Sequence, residues 1–152
     1  MSRHPDPPLG SLIGASRHGP HGHVRVLVVD DSSIVRRMLV GLLSGIAGIK
    51  VVGEAESASE GIRSAMTLRP NVVILDVQMP GGSGLDVLTH VKAKSPGVTV
   101  IMFSASRDQQ VQERCRTMGA DYCFVKPDEV PTLLSVLAQL AQRIGWDQAK
   151  GK

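Results

Sequence analysis

Five side chains with chemical potential stand where apolar runs stop. The pair Asp30-Asp31 follows Val24-Arg25-Val26-Leu27-Val28-Val29, and Asp76 follows Val72-Val73-Ile74-Leu75. Ser104 follows Val98-Thr99-Val100-Ile101-Met102-Phe103, and Lys126 follows Asp121-Tyr122-Cys123-Phe124-Val125. Singly, an aspartate in such a place reads as a helix cap or turn residue and a lysine as a solvated surface base. Together they form a set of three carboxylates, a hydroxyl and an ammonium. Carboxylates brought together repel unless something positive joins them, and an oxygen-only, carboxylate-rich set suits Mg²⁺, which keeps waters and sits with phosphate groups.

The elements that must position these groups can be read from hydrophobic period. Each of the runs above is rich in β-branched residues, as strands buried on both faces are. Ile49 to Ala55, with Val51 and Val52, reads as a further strand. Between the strands lie amphipathic stretches. Ser32 and Ser33 open a helix with Ile34, Val35, Met38, Leu39, Leu42 and Leu43 on one face, ended by Gly45 and Gly48. Ser57-Ala58-Ser59-Glu60 has capping-box spacing and opens a helix burying Ala58, Ile62, Ala65 and Met66, stopped at Arg69-Pro70. Leu85, Leu88 and Val91 line a third helix, ended near Ser95-Pro96-Gly97. A more polar fourth runs from about Asp108 to Met118, with Val111, Cys115 and Met118 inward and Gly119 as its cap. The last begins around Asp128, tolerates Pro131 in its first turn, buries Val130, Leu133, Leu134, Leu137, Leu140 and Ile144, and ends at Gly145.

Strands alternating with helices, with no hairpin signal between strands, predict a parallel sheet covered on both faces: a doubly wound α/β domain. In such a sheet all carboxyl ends lie on one edge, where ligands bind, so the five groups converge there. After Asp76, Pro80 cannot donate to a ladder, and Gly81-Gly82-Ser83-Gly84 lets the backbone pass close to a neighbour.

Composition narrows the partners. The 152 residues suffice for one domain with a substantial core, and 42% hydrophobic with 20% charged residues is ordinary for a globular protein. A net charge of +3 with 3% aromatic residues gives neither the basic stripe nor the stacking surface of a nucleic-acid binder. No apolar run reaches membrane-helix length, and Leu9 to Ala15 is too short and glycine-broken for a signal peptide, so the expected compartment is the cytoplasm. Cys115 and Cys123 form no metal or disulfide pattern and read as buried free thiols. Residues 1–23 are expected to be a disordered tail, 24–145 the domain and 146–152 a frayed end. His18, His21 and His23 in that tail lack a carboxylate or cysteine to complete a metal cage.

Four motifs in this order resemble one family. Val28-Val29-Asp30-Asp31-Ser32, then Ile74 through Asp76 to Leu85 with Gln78-Met79-Pro80, then Phe103-Ser104-Ala105, and Phe124-Val125-Lys126-Pro127 are similar to those of response regulator receiver domains, like the single-domain chemotaxis regulators. The resemblance covers residues 24 to about 144. It implies a flavodoxin-like (βα)5 fold with strand order 2-1-3-4-5. Asp76 would take a phosphoryl group from a phosphohistidine of a sensor histidine kinase or phosphotransfer protein. Asp31, Asp76 and the backbone carbonyl of Gln78 would bind Mg²⁺ directly, with Asp30 acting through a metal-bound water. Lys126 and Ser104 would contact phosphoryl oxygens and, drawn inward, would switch the surface offered to a downstream protein. The family's switch aromatic falls at Cys123 here, flanked by Tyr122 and Phe124, so the usual aromatic read-out is in question while the chemistry stands. The Gln78 side chain is then a candidate for setting the acyl-phosphate lifetime.

The expectation is a stand-alone phosphoaccepting module, not an enzyme on other substrates, with its contact face on the fourth helix, fifth strand and fifth helix. Phosphorylation-dependent homodimerisation stays open. Three rival readings fit the residues less well. An Mg²⁺-dependent aspartyl phosphatase would need a carboxylate where Gln78 stands. A flavodoxin-like redox protein would not place two carboxylates against a flavin phosphate. A degenerate receiver that only binds proteins would not keep all five chemical positions filled.

Overall fold

The computed structural model describes residues 23–150. Five strands alternate with five helices: β1 Val24–Val29, α1 Ser33–Ser44, β2 Ile49–Ala55, α2 Ala58–Leu68, β3 Val72–Leu75, α3 Gly84–Lys94, β4 Thr99–Ser104, α4 Gln109–Thr117, β5 Tyr122–Val125 and α5 Val130–Lys150. The strands pair in parallel in the order β2-β1-β3-β4-β5. This is the doubly wound sheet that the alternation predicted, in the flavodoxin-like strand order that the family resemblance implied.

Strand period divides the core in two. Leu27, Val29, Val73, Leu75, Val100 and Met102 point to one face, where Ala58 of α2, Val87, Leu88 and Val91 of α3, and Cys115 of α4 cover them. Val24, Val26, Val28, Val72, Ile74, Ile101 and Phe103 point to the other, under Leu39 and Leu43 of α1 and Leu133, Leu137 and Ala141 of α5. A strand buried on both sides must be apolar at every position, which is why these runs do not alternate.

Local chemistry sets the helix starts. The side chains of Ser32, Ser57, Ser83 and Asp108 each accept a hydrogen bond from a first-turn backbone N–H, capping α1 to α4. The box opening α2 is only half formed as predicted: Ser57 accepts from Glu60 N, but the Glu60 carboxylate reaches back to Glu56 N.

Three features depart from the sequence reading. Ile34, Met38, Leu42 and Met66 lie on the surface, so α1 buries only the Leu39–Leu43 half of its wide apolar stripe. Gln78–Met79 pairs antiparallel with Gly82–Ser83 in a short ribbon around Pro80-Gly81, a hairpin not anticipated. Gly81 makes that turn with φ near +75°, a conformation that suits glycine. Finally, α5 continues through Gly145 to Lys150, where a helix end and fray were expected. A single glycine costs a helix only about 1 kcal/mol relative to alanine, too little to force a stop. Of the tail expected over residues 1–23, residues 1–22, which include His4, His18 and His21, lie outside the described residues, as does the Ile144 side chain. Among the described residues no helix is long and apolar enough to cross a membrane.

Candidate functional site

The parallel register brings the five predicted groups to one edge. Leu75 pairs with Val29 and Met102, so Asp30 and Asp76 emerge side by side, with Ser104 on the neighbouring strand. Ser104 pairs in turn with Val125, and the Lys126 N–H donates to the Ser104 carbonyl at 2.9 Å. Ligand oxygens of Asp30, Asp31 and Asp76 all lie within 4.8 Å of one another. Asp30 and Asp76 are 2% and 8% exposed, whereas Asp31 is open to solvent.

Lys126 is the counter-charge. Its Nζ lies 2.6 Å from Asp30 Oδ2 and 3.4 Å from Asp76 Oδ2, and 5.8 Å from the centre of the Phe103 ring. The ammonium is therefore shared, with Asp30 holding the shorter contact. Asp30 is further fixed by the Ser32 N–H on Oδ1 at 2.8 Å. Arg36 donates to the Asp30 carbonyl and pairs with Glu54 at 3.2 Å, joining α1 to the ends of β1 and β2.

Burial raises the Asp76 carboxyl above its ordinary value; Lys126 opposes this, the Asp30 charge adds to it, and the Gln78 N–H lowers it again. That N–H reaches Asp76 Oδ1 at 3.4 Å, while the Gln78 side chain is exposed at the rim. The carbonyl side of Asp76 is held by the close backbone approach that the glycine loop predicted, with a partner that sequence reasoning did not name. Gly84, the first residue of α3, packs so closely that a Cβ there would lie 1.9 Å from the Asp76 carbonyl oxygen. Its N–H donates to the Val77 carbonyl at 2.8 Å. The available signal was a glycine at a strand-to-helix crossing, where no side chain fits.

Ser104 is 9% exposed and its Oγ accepts from the Ser106 N–H at 3.2 Å. The two residues singled out on β5 part company. Cys123 shares the α4-facing core and its thiol contacts the Gln112 carbonyl at 3.8 Å. Tyr122 faces α5 and stacks on Phe124, with ring centres 5.8 Å apart. Of the pair, only Cys123 lies on the same side of the sheet as α4.

A buried pair of acids beside an exposed third, with an ammonium on one flank, can hold a hard divalent cation and present a carboxylate oxygen to a phosphoryl group. The donor set is all oxygen, and its three carboxylates exceed the single positive charge beside them, so it fits Mg²⁺.

Comparison with known proteins agrees with this geometry. The sequence model for the response regulator receiver domain matches residues 26–138. The chain belongs to the response regulator receiver family. It is 34% identical over 116 residues to the nitrate/nitrite response regulator protein NarL of Escherichia coli, covering 76% of this chain and 54% of that protein. It is 43% identical over 128 residues to protein-glutamate methylesterase/protein-glutamine glutaminase 6 of Anaeromyxobacter dehalogenans, covering 84% of this chain and 36% of that one. The chain thus spans about half or less of the curated relatives it matches. Among solved structures, the response regulator domain of Thermotoga maritima CheB superposes with a TM-score of 0.73 at 29% identity, covering 79% of this chain and 97% of that one. The CheX–CheY–BeF3–Mg²⁺ complex of Borrelia burgdorferi gives 0.69 at 27% identity, covering 76% and 88%. The chain is a receiver domain of two-component signal transduction.

Proposed function

We propose that Asp76 accepts a phosphoryl group from a phosphohistidine on a sensor histidine kinase or phosphotransfer protein, and that the modified domain then engages a downstream protein. One observation carries this reading: the buried Asp76 carboxylate lies within 4.8 Å of two further acids and 3.4 Å from a shared lysine.

Asp31, Asp76 and the Gln78 backbone carbonyl would hold Mg²⁺, with Asp30 bound through water. That ion supplies charge neutralisation at the phosphoryl oxygens. The remaining work falls to the chain's own residues. An ionised Asp76 oxygen attacks phosphorus; the new P–O bond forms as the P–N bond to imidazole breaks, and the departing imidazole takes up a proton. Lys126, already between Asp30 and Asp76, follows the added negative charge toward the phosphoryl group. The Ser104 hydroxyl turns to donate to another oxygen. Gln78, exposed beside the acyl phosphate, orients or excludes the water that would hydrolyse it. Cys123 stands where the family resemblance implies a switch aromatic, so the conformational change is reported without ring rotation at this position.

The test is phosphotransfer. A phosphorylated histidine kinase core, labelled on its histidine, should lose label to the chain in Mg²⁺ buffer and retain it when EDTA is present. Label that never leaves any of a panel of kinase cores, together with no modification by small phosphodonors, would refute the assignment.

A further inference from the structure

Asp31 differs from the two acids beside it. Asp30 and Asp76 are buried and each lies against Lys126, whereas Asp31 is exposed. An exposed carboxylate swings freely unless its backbone is held, and both peptide units flanking Asp31 are held. The peptide between Asp30 and Asp31 offers its carbonyl to the Arg36 guanidinium. The peptide between Asp31 and Ser32 gives its N–H to Asp30 Oδ1 at 2.8 Å. Asp30 is itself fixed by its N–H on the Ala55 carbonyl at 3.0 Å and by Lys126 on Oδ2 at 2.6 Å.

Arg36 is well placed for this hold. It lies in the first turn of α1, its own N–H on the Ser32 carbonyl at 3.0 Å. Its side chain is only 14% exposed, and Nε pairs with Glu54 of β2 at 3.2 Å while the other arm of the fork takes the Asp30 carbonyl. A planar guanidinium serves both acceptors at once in fixed directions, which a lysine ammonium does not. A positive charge beside a cation site repels the cation, and here the Glu54 carboxylate offsets it. Arg37, the next residue, carries the same charge at an exposed position of the helix.

We infer that Arg36 is a positioning residue for the metal: by gripping the Asp30 carbonyl, with its charge offset by Glu54, it aims the exposed Asp31 carboxylate and so sets the affinity for Mg²⁺. The inference rests on the reading of Asp31 as a direct Mg²⁺ ligand. Groups that orient metal ligands from behind typically contribute about 10–100-fold to metal affinity. Two effects of opposite sign meet at this residue. Losing the guanidinium charge by itself tightens Mg²⁺ binding, because a repelling cation is gone. Losing the grip on the Asp30–Asp31 peptide loosens it. A neutral replacement of similar length therefore decides which effect wins, and the geometry assigns the larger one to the grip.

The experiment follows thermal unfolding of the full chain across a magnesium chloride titration, where the rise in melting temperature reports the affinity. The initial rate of modification by acetyl phosphate is measured at each Mg²⁺ concentration. Arg36→Gln should bind Mg²⁺ roughly ten-fold more weakly. Its half-saturating Mg²⁺ concentration for modification should rise by the same factor, with the plateau rate at the wild-type level. Arg36→Lys keeps the charge without the fork and should weaken binding at least as much. Glu54→Gln leaves the guanidinium charge without its offset and should weaken it too, whereas Arg37→Gln should bind as the wild type does. Asp31→Asn, in the same titration, tests the ligand itself and should bind Mg²⁺ more weakly than the wild type. An Arg36→Gln chain that binds as tightly as the wild type or tighter, while Asp31→Asn binds weakly, overturns the inference and leaves Asp31 as a ligand. A lowered plateau with unchanged half-saturation overturns it as well, since that is general damage to the site. An Asp31→Asn chain that binds Mg²⁺ as the wild type does overturns both.

Discussion

Substituting alanine for Gly84 tests whether the backbone around Asp76 is as tightly determined as its side-chain contacts. A Cβ at this position would stand 1.9 Å from the Asp76 carbonyl oxygen, 2.9 Å from its carbonyl carbon and 3.2 Å from Val77 Cα. Those are backbone atoms, so no rotamer change relieves the clash. The gap between 1.9 Å and the 3.4 Å at which ordinary contact begins, about 1.5 Å, must come from moving α3 or the Asp76–Val77 peptide. Misplacing a reacting group by ~1 Å can cost roughly 100-fold in rate. Overpacking of this kind costs about 1–3 kcal/mol in stability, and about 2–4 °C in melting temperature per kcal/mol for a chain of this length. The assay is the initial rate of phosphoryl incorporation from saturating acetyl phosphate in Mg²⁺, read by intact mass well below both melting temperatures. Gly97→Ala serves as control, because a Cβ there meets nothing within 4 Å. A folded Gly84→Ala chain that phosphorylates at the wild-type rate would show that the close approach does not position the acceptor.

Three further outcomes follow from the same geometry. Lys126→Met strands Asp30 and Asp76 without their shared ammonium; loss of one partner from a buried pair should lower stability by about 3–5 kcal/mol in EDTA, with much of it regained on adding Mg²⁺, as urea midpoints would show, and no loss would mean the ion pair is energetically idle. Asp76→Asn should instead stabilise the metal-free fold at neutral pH. Because burial raises the Asp76 carboxyl, the folded state holds that proton more tightly than the unfolded chain; this contribution is complete below the unfolded value of 3.8 and is lost as pH rises through the folded one. The difference in melting temperature between variant and wild type should therefore open with rising pH and close toward acid, and a pH-independent difference would contradict the burial argument. Burial also pushes the Cys123 thiol up to about 11 and raises that of Cys115, and since the thiolate is the reacting species, iodoacetamide at mildly alkaline pH should label both far more slowly in the folded chain than in urea.

Much of this was legible because the relevant physics is local. β-Branched runs read as buried strands, serine and aspartate before stretches of helical period read as caps, and parallel pairing then brings Asp30, Asp76, Ser104 and Lys126 to one edge. What escaped depends on contacts between distant segments. The sequence of α1 offers two parallel apolar rows, Ile34-Met38-Leu42 and Val35-Leu39-Leu43, and only the fold reveals that the sheet covers the second, leaving Ile34 76% exposed. The Pro80-Gly81 turn signal was visible, but two-residue strands leave no period to detect. The closer approach of Lys126 to Asp30 than to Asp76 is a contact between the ends of distant strands, which no spacing along the chain encodes. The glycine loop signalled a close backbone approach without naming its neighbour, and the fold shows that the missing side chain of Gly84 lets α3 reach the Asp76 peptide.

The central claim is that Asp76 is the single phosphoacceptor, and intact mass tests it most directly. Incubated with acetyl phosphate and Mg²⁺, the wild-type chain should gain one phosphoryl group, lose it in mild alkali as an acyl phosphate does, and gain none in EDTA. The Asp76→Asn chain should gain none under any of these conditions. Modification of Asp76→Asn to the wild-type extent would contradict the account.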